Sequence, residues 1–257
     1  MTEMRWFGGG DAPRIGIGDD RTVMAVWPNV RLYAQPGRDV VVETTGPVAP
    51  EIVQKLRTGT ARALRRYLQG ATILHAAAVA FNGHGVVIAG NAGAGKSTTG
   101  AALCGRGGAL LSDDSTVVTI AGDGVVRVEP VESSHWLDVA SSKILGLPVA
   151  ANDLEKNPTK AARLASEAVV VRTLVVLEAH DDRTVIKERL RGVRAMSAVI
   201  AASLRIPIDK EQDRHDFDAF AHIAANVPVY RVLRPTRFSA TLMDELVHTM
   251  VQLTELR

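Results

Sequence analysis

The sequence predicts an α/β fold with a small β-rich region at its N-terminal end, and three observations predict it. Short extended runs separated by Gly, Asp and Pro fill residues 1–47. From residue 71 onward, apolar runs of strand length alternate with segments of helical periodicity, the pattern of a layered α/β domain. Between one of those strands and the next helix lies a glycine-rich loop, Gly90–Gly95.

The elements follow in order. Arg14–Ile17, Thr22–Trp27 and Val40–Glu43 read as strands. Pro50 opens a helix over Glu51–Leu68, with Ile52, Val53, Leu56, Ala63, Leu64 and Leu68 at roughly helical spacing and Gly70 as its stop. The basic face of that helix, Arg57, Arg62, Arg65 and Arg66, reads most simply as solvated; contact with an acidic substrate is the other reading. Ala71–Phe81 and Gly85–Ala89 are strands joined by Asn82-Gly83, a hairpin-turn pair. A helix runs from about Lys96 to Cys104, and Gly105–Gly108 breaks it. Ala109–Leu111 is a short buried strand ending in Ser112-Asp113-Asp114, and Thr116–Ile120 pairs with Val125–Val128 as a second hairpin. Residues 130–166 are less regular. Val169–Leu177, Thr184–Leu190 and Val227–Leu233 read as strands, and Ala195–Leu204, Asp213–Ala225 and Ala240–Leu256 as helices. The expected organisation is a β-rich region over 1–50 packed on one α/β unit over 51–257.

Composition narrows the function classes. Of 257 residues, 46% are hydrophobic and 23% charged, enough apolar material for a sizeable core. Thirty basic residues against 28 acidic ones leave a net charge of +2, and the arginines are spread along the chain, so no nucleic-acid partner is expected. The single cysteine, Cys104, allows no internal disulfide, fits a reducing cytoplasm and reads as a small buried hydrophobe. The longest stretch free of Asp, Glu, Lys and Arg, Tyr67 to Gly95, is interrupted by His75, Asn82, His84, Asn91 and several glycines, so no membrane span is expected there. The first residues lack the apolar core of a signal peptide, and a cytoplasmic location is the expectation.

One motif carries chemistry. Gly90-Asn91-Ala92-Gly93-Ala94-Gly95-Lys96-Ser97 fits G-x-x-x-x-G-K-[ST] at every fixed position, the P-loop pattern. Glycines let the backbone curl so that successive N–H groups face phosphate oxygens. The helix that opens near Lys96 adds its positive end. Lys96 supplies a point charge for the β- and γ-phosphates, and the Ser97 hydroxyl a ligand for Mg²⁺. A chance match in a chain this long has a probability of roughly 1%, and here the motif also follows a strand and opens a helix. The expected nucleotide contacts are Gly90, Asn91, Ala92, Gly93, Ala94, Gly95, Lys96, Ser97 and Thr98, with ATP and Mg²⁺ as cofactors. Asp113 and Asp114, at a strand end after the motif, suit a pair that holds the metal and accepts a proton; a turn that happens to carry two aspartates is the bland alternative. His75, in an otherwise apolar run, reads by itself as a satisfied core residue.

Together these features resemble the catalytic domain of HPr kinase/phosphorylase and its shorter kinase relatives. The resemblance runs from Ile73 to Thr119: Leu74-His75-Ala76, Gly85-Val86-Val87-Ile88, the P-loop, Arg106-Gly107-Gly108 and Leu111-Ser112-Asp113-Asp114, in order and at matching spacing. It implies a nucleotide-binding core of the phosphoenolpyruvate carboxykinase type and phosphoryl transfer from ATP to a serine hydroxyl. It implies that Lys96 holds phosphates, Ser97 and Asp113 hold Mg²⁺, Asp114 is the base, and His75 supports the reacting phosphate or the aspartates. Three departures stand out: no room for the separate N-terminal domain of full-length HPr kinases, Thr98 where an acidic residue is usual, and no glycine-rich signature after the aspartates. They count against HPr as the substrate and against the reverse, phosphate-removing activity. The chain looks more like the short kinases of peptide natural-product pathways, including those acting on a lasso-peptide precursor. In this reading residues 129–166 shape the acceptor site, with Glu129, Glu132, His135, Lys156, Lys160 and Arg163 as candidates and Lys160 and Arg163 as the extra charge on the γ-phosphate.

The acceptor is expected to be a peptide, a protein or a small hydroxyl compound. A nucleotide-dependent regulator is the reading from another class, and a homo-oligomer stays open. Transport-type ATPases and GTPase switches are disfavoured, because the chain has no L-S-G-G-Q and no N-K-x-D.

Overall fold

The computed structural model describes residues 4–8, 13–149, 154–236 and 239–255. Five short strands, β1 (Met4–Phe7), β2 (Arg14–Gly18), β3 (Val23–Trp27), β4 (Val30–Ala34) and β5 (Val41–Thr44), form an antiparallel sheet in sequence order. Two of them, β1 and β4, were not expected from the sequence. The buried side of this sheet (Ile17, Val23, Ala25, Leu32) packs on Ala61, Leu64, Tyr67 and Ile73 of the larger unit.

The segment expected as one helix is two. α1 (Pro50–Lys55) and α2 (Ala61–Tyr67) are joined by a wider turn, Leu56–Thr60, with π-helical hydrogen bonding. The arginines on this segment are not simply solvated. Arg66 grips Glu129 with two nitrogens, Arg62 donates to the carbonyl of Val131, and Arg65 pairs with Asp39.

The second sheet holds eight strands. β6 (Thr72–Phe81) and β7 (His84–Ala89) form the expected hairpin, turning through Asn82 and Gly83 at positive φ. β8 (Ala109–Ser112) and β9 (Ser115–Ile120) pair in succession with β6, and β10 (Val126–Val128) pairs with β9. β11 (Ser134–Leu137) and β12 (Asn157–Lys160) make a separate pair in the segment expected to be irregular, with α4 (Val139–Ile144) after β11. β13 (Val169–His180) and β15 (Val229–Pro235) continue the main sheet parallel to β7, and β14 (Ile186–Leu190) closes its edge antiparallel to β15. Because β10 also pairs with the start of β13, strands β10, β9, β6, β7 and β13 close on themselves.

Helices cover both faces, as near-continuous apolar strands require. α3 (Lys96–Gly105) and α7 (Ala240–Glu255) pack on one side; Leu256 of the expected last helix lies outside the described residues. α5 (Val193–Ala202) and α6 (Lys210–Asn226) pack on the other. Alternation divides β7 between them: Val87 and Ala89 face α5 and α6, while Val86 and Ile88 face α3 and α7. Cys104 is buried in the second of these cores, where burial pushes its thiol up to about 12. No helix among the described residues is long and apolar enough to cross a membrane.

One buried polar knot ties α2 to α6. The Tyr67 hydroxyl donates to Asp216 Oδ2 at 2.7 Å and accepts from the Ile206 N–H at 3.3 Å, while Gln212 donates to Asp216 Oδ1 at 2.9 Å. Tyr67→Phe would leave Asp216, 1% exposed, with one donor. A buried acceptor robbed of its partner costs about 1–3 kcal/mol, so urea denaturation should show a loss of that size at unchanged m-value.

Candidate active site

Strand register places the site. On β6, His75 is opposite Ser115 of β9, and its neighbour Ala76 is opposite Ala89 of β7. Gly90, the first residue past β7, therefore arrives beside His75. On the other side, β8 ends at Ser112 opposite Ala78 and β9 resumes at Ser115 opposite His75. Asp113-Asp114 is the break between two strands that together partner β6, tied in by the Ala76 N–H donating to the Asp114 carbonyl. β7 ends here opposite Val176, while the parallel strands β13 and β15 run four residues further to His180 and Pro235, and the step at the carboxyl ends of these strands is where α/β sheets offer a crevice. A cleft of about 530 Å³ opens there, lined by His75, Lys96, Ser97, Asp113 and Asp114 among others.

The glycine loop forms one wall. Gly90 has φ +147°, and a Cβ there would overlap the carbonyl oxygen of Leu177 on β13. Gly95, at φ +96°, precedes α3, and no side chain caps the helix. The first N–H groups of α3, at Lys96, Ser97 and Thr98, thus lack intrahelical acceptors and carry the helix's positive end into the cleft. Arg234, at the end of β15, braces the loop from behind: its Nε donates to the Ala94 carbonyl at 2.6 Å and its Nη2 to that of Gly93 at 3.0 Å.

A chain of side chains crosses the cleft floor. Lys96 Nζ donates to the carbonyls of Gly90 (2.8 Å) and Asn91 (3.2 Å) and lies 3.1 Å from His75 Nε2. With Lys96 donating to Nε2, Nδ1–H of His75 is left to donate to Asp114 Oδ1, 3.0 Å away. Asp114 Oδ2 in turn lies 3.0 Å from Lys55 Nζ. His75 is therefore half exposed and linked at both ring nitrogens, which excludes the core-residue reading. Burial lowers the Lys96 pKa, opposed by the charge of Asp114 and reinforced by that of Lys156. Burial acts to raise the pKa of Asp114, but the His75 hydrogen bond and the Lys55 charge outweigh it and hold the carboxyl far below the usual range.

Asp113 is placed differently. Its side chain is 1% exposed, with Oδ1 3.2 Å from His135 Nδ1 and Oδ2 accepting the Trp136 N–H at 2.9 Å. Glu132 holds both aspartates from below: its Oε2 accepts their N–H groups at 2.6 and 2.8 Å. Burial raises the Glu132 pKa, and the two amide hydrogen bonds work against that. The wide turn between α1 and α2 is matched to this carboxylate, since a Cβ on Gly59 would overlap Glu132 Oε1.

Of the acceptor-site candidates, Lys156 lines the cleft, whereas Lys160 and Arg163 do not. Lys160 sits exposed on β12, and Arg163 donates to the Gly107 carbonyl, so the extra positive charge expected from that pair is not in the cleft. Lys156 and Arg234 are the cations found there beside Lys96. Glu129 is engaged with Arg66, and His135 with Asp113. The sequence reading missed Lys55 and Arg234. Arg234 had a signal, a charge followed by Pro235 at the end of an apolar strand; Lys55 had none.

The donor set suits Mg²⁺ only in the company of phosphates. No group of three or more His, Cys, Asp or Glu side chains among the described residues could hold a metal alone. Mg²⁺ keeps several waters and takes one or two protein ligands plus phosphate oxygens; the Ser97 hydroxyl fits that role, and the Asp113 carboxylate, which lines the same cleft with both oxygens engaged, would reach the ion through water.

No protein-family model matches the chain, and no curated protein matches it. Among solved structures it is similar to the HPr(Ser) kinase/phosphatase from Coxiella burnetii, at 15% identity over 70% of this chain and 88% of that one, with a TM-score of 0.38. A likeness of that size says nothing about the chemistry of the cleft.

Proposed function

We propose that this protein is a kinase that transfers the γ-phosphoryl group of ATP to a serine-type hydroxyl of a peptide or protein. One observation carries the reading: the continuous link Lys96–His75–Asp114 puts a lysine ammonium and an ionised carboxylate in one cleft, at the uncapped N-terminus of α3. The loop amides and Lys96 hold the triphosphate. Asp114 accepts a hydrogen bond from the acceptor hydroxyl and orients its oxygen toward the γ-phosphorus. The new O–P bond forms as the bond to the β,γ-bridging oxygen breaks. The electron pair of that bond leaves on ADP, and the hydroxyl proton passes to Asp114. A carboxylate of low pKa is a weak base, but phosphoryl transfer has a loose transition state in which the proton leaves late, so orientation outweighs basicity. His75 keeps Asp114 and Lys96 in register. Mg²⁺, held by Ser97 and Asp113, would neutralise charge on the phosphates.

Incubation with γ-labelled ATP and separate pools of peptides and metabolites tests the reading. Label is expected in the peptide pool. Label in metabolites alone would move the acceptor to small hydroxyl compounds, and binding of ATP with no transfer to either pool would favour a regulator.

A further inference from the structure

On the kinase reading the acceptor must reach Asp114. His75 occupies Oδ1 of that carboxylate, and Lys55 occupies Oδ2. Lys55 lines a second cavity, of about 350 Å³, whose lining includes neither Asp114 nor the glycine loop. Trp136 lines this cavity and the nucleotide cleft alike, and the Lys55 ammonium lies 5.1 Å from the centre of its ring. The wall between the two spaces is therefore the Lys55–Asp114 ion pair and one indole. A third cavity, of about 660 Å³, reaches His75 and the loop but neither aspartate, and the arginines on its rim are already paired, Arg231 with Glu178 and Arg194 with Glu188.

The second cavity is short of positive charge. Glu51 forms no ion pair among the described residues, and Glu132, 8% exposed, has only backbone N–H groups on Oε2 and no hydrogen bond to Oε1. The one cation in the lining, Lys55, is committed to Asp114. A carboxylate with one oxygen still open to an acceptor role, beside a second carboxylate outside any ion pair and an aromatic face, makes a niche for an ammonium group.

We propose that this cavity binds the acceptor, that the acceptor presents a protonated amine close in space to its hydroxyl, and that Lys55 is the gate it displaces. The amine meets Glu51, Glu132 Oε1 and the Trp136 face, and the hydroxyl takes the place of Lys55 on Asp114 Oδ2. The proposal rests on the kinase reading for its chemistry: the acceptor oxygen bonds to the γ-phosphorus, its proton passes to Asp114, and ADP leaves with the bridging oxygen. A free amino alcohol and a serine beside a basic residue in a peptide share this recognition. Lys55 acts through Asp114 and is a positioning residue.

Trp136 fluorescence in a Trp6→Phe/Trp27→Phe background reads the cavity without ATP and without turnover. The probes are serine methyl ester, methyl glycerate (a hydroxyl in place of the ammonium), and short peptides with serine between two lysines or between two glutamates. Saturable changes are expected with the cationic probes, at least about ten-fold tighter than with their neutral or acidic counterparts, the effect of one hydrogen-bonded charge. Glu51→Gln and Glu132→Gln should each weaken the cationic probes several-fold, and Lys55→Met should tighten them while Lys55→Arg does not. Labelled ATP then separates the sources: label on the ester marks a small amino alcohol, and label on the lysine-flanked peptide marks a peptide. Equal binding of charged and neutral probes, or no Trp136 response, would overturn the proposal. Loss of ATP binding with an intact Trp136 response would instead remove the kinase reading.

Discussion

Asp114→Asn is expected to lower phosphoryl transfer by about 10²–10⁴-fold, the range for a positioned acid–base group, while ATP affinity stays within a few-fold of the unsubstituted protein. The carboxamide keeps the size of the carboxylate and an oxygen that can accept from His75, so the cleft keeps its shape. It loses the charge that orients the acceptor and the second oxygen that takes its proton. Single-turnover transfer with a labelled acceptor, set beside equilibrium ATP binding, measures the two effects apart. Transfer at the original rate would remove Asp114 from the chemistry, and a parallel loss of ATP binding would recast it as a nucleotide-holding residue.

Lys96→Ala should remove the response to nucleotide altogether. In the free protein Lys96 is buried, and burial opposes its charge. Its ammonium is spent on two loop carbonyls and His75, the place a β,γ-phosphate would take over. A ligand at 100 times its Kd stabilises the native state by about 2.7 kcal/mol, so Mg²⁺–ATP should raise the melting temperature of the original protein by several degrees and leave the variant unmoved. Transfer should fall by at least about 10²–10³-fold, the loss seen when one preorganised donor is removed. Lys96→Arg should not restore it, because a planar guanidinium cannot replace a compact ammonium in a buried loop. The unliganded variant is expected to melt close to the original, which separates loss of the ligand from loss of the fold. A full ATP-induced shift in Lys96→Ala would sink the proposed site.

Local features were legible in the chain. The hairpin at Asn82-Gly83 declared itself because a two-residue turn selects those residues, and β6 and β7 sit where the apolar runs put them. The glycine loop between a strand and a helix was equally plain, since positive-φ positions and a helix start are written in neighbouring residues. Segments whose form depends on distant partners were not legible. The helix over Glu51–Leu68 is interrupted because its middle turn widens against Glu132, more than 70 residues away, and nothing in its own periodicity says so. β1 and β4 are only four and five residues long, each interrupted by an arginine, and only pairing within a meander makes them strands.

By itself, then, the sequence determined the glycine loop, the strand before it, the helix after it, and the presence of a histidine and two aspartates nearby. These are short-range matters of φ, periodicity and residue chemistry. Only the tertiary structure decided how those residues divide the work. Register on the two edges of β6 brought Asp114 to His75 and buried Asp113 beneath Trp136, although the two aspartates are adjacent in the chain. Packing of α1 brought Lys55 to Asp114, and packing of β15 brought Arg234 to the glycine loop. Hydrogen-bond register and packing are non-local, and a chain read in one dimension carries the groups that will meet but not the distances at which they do.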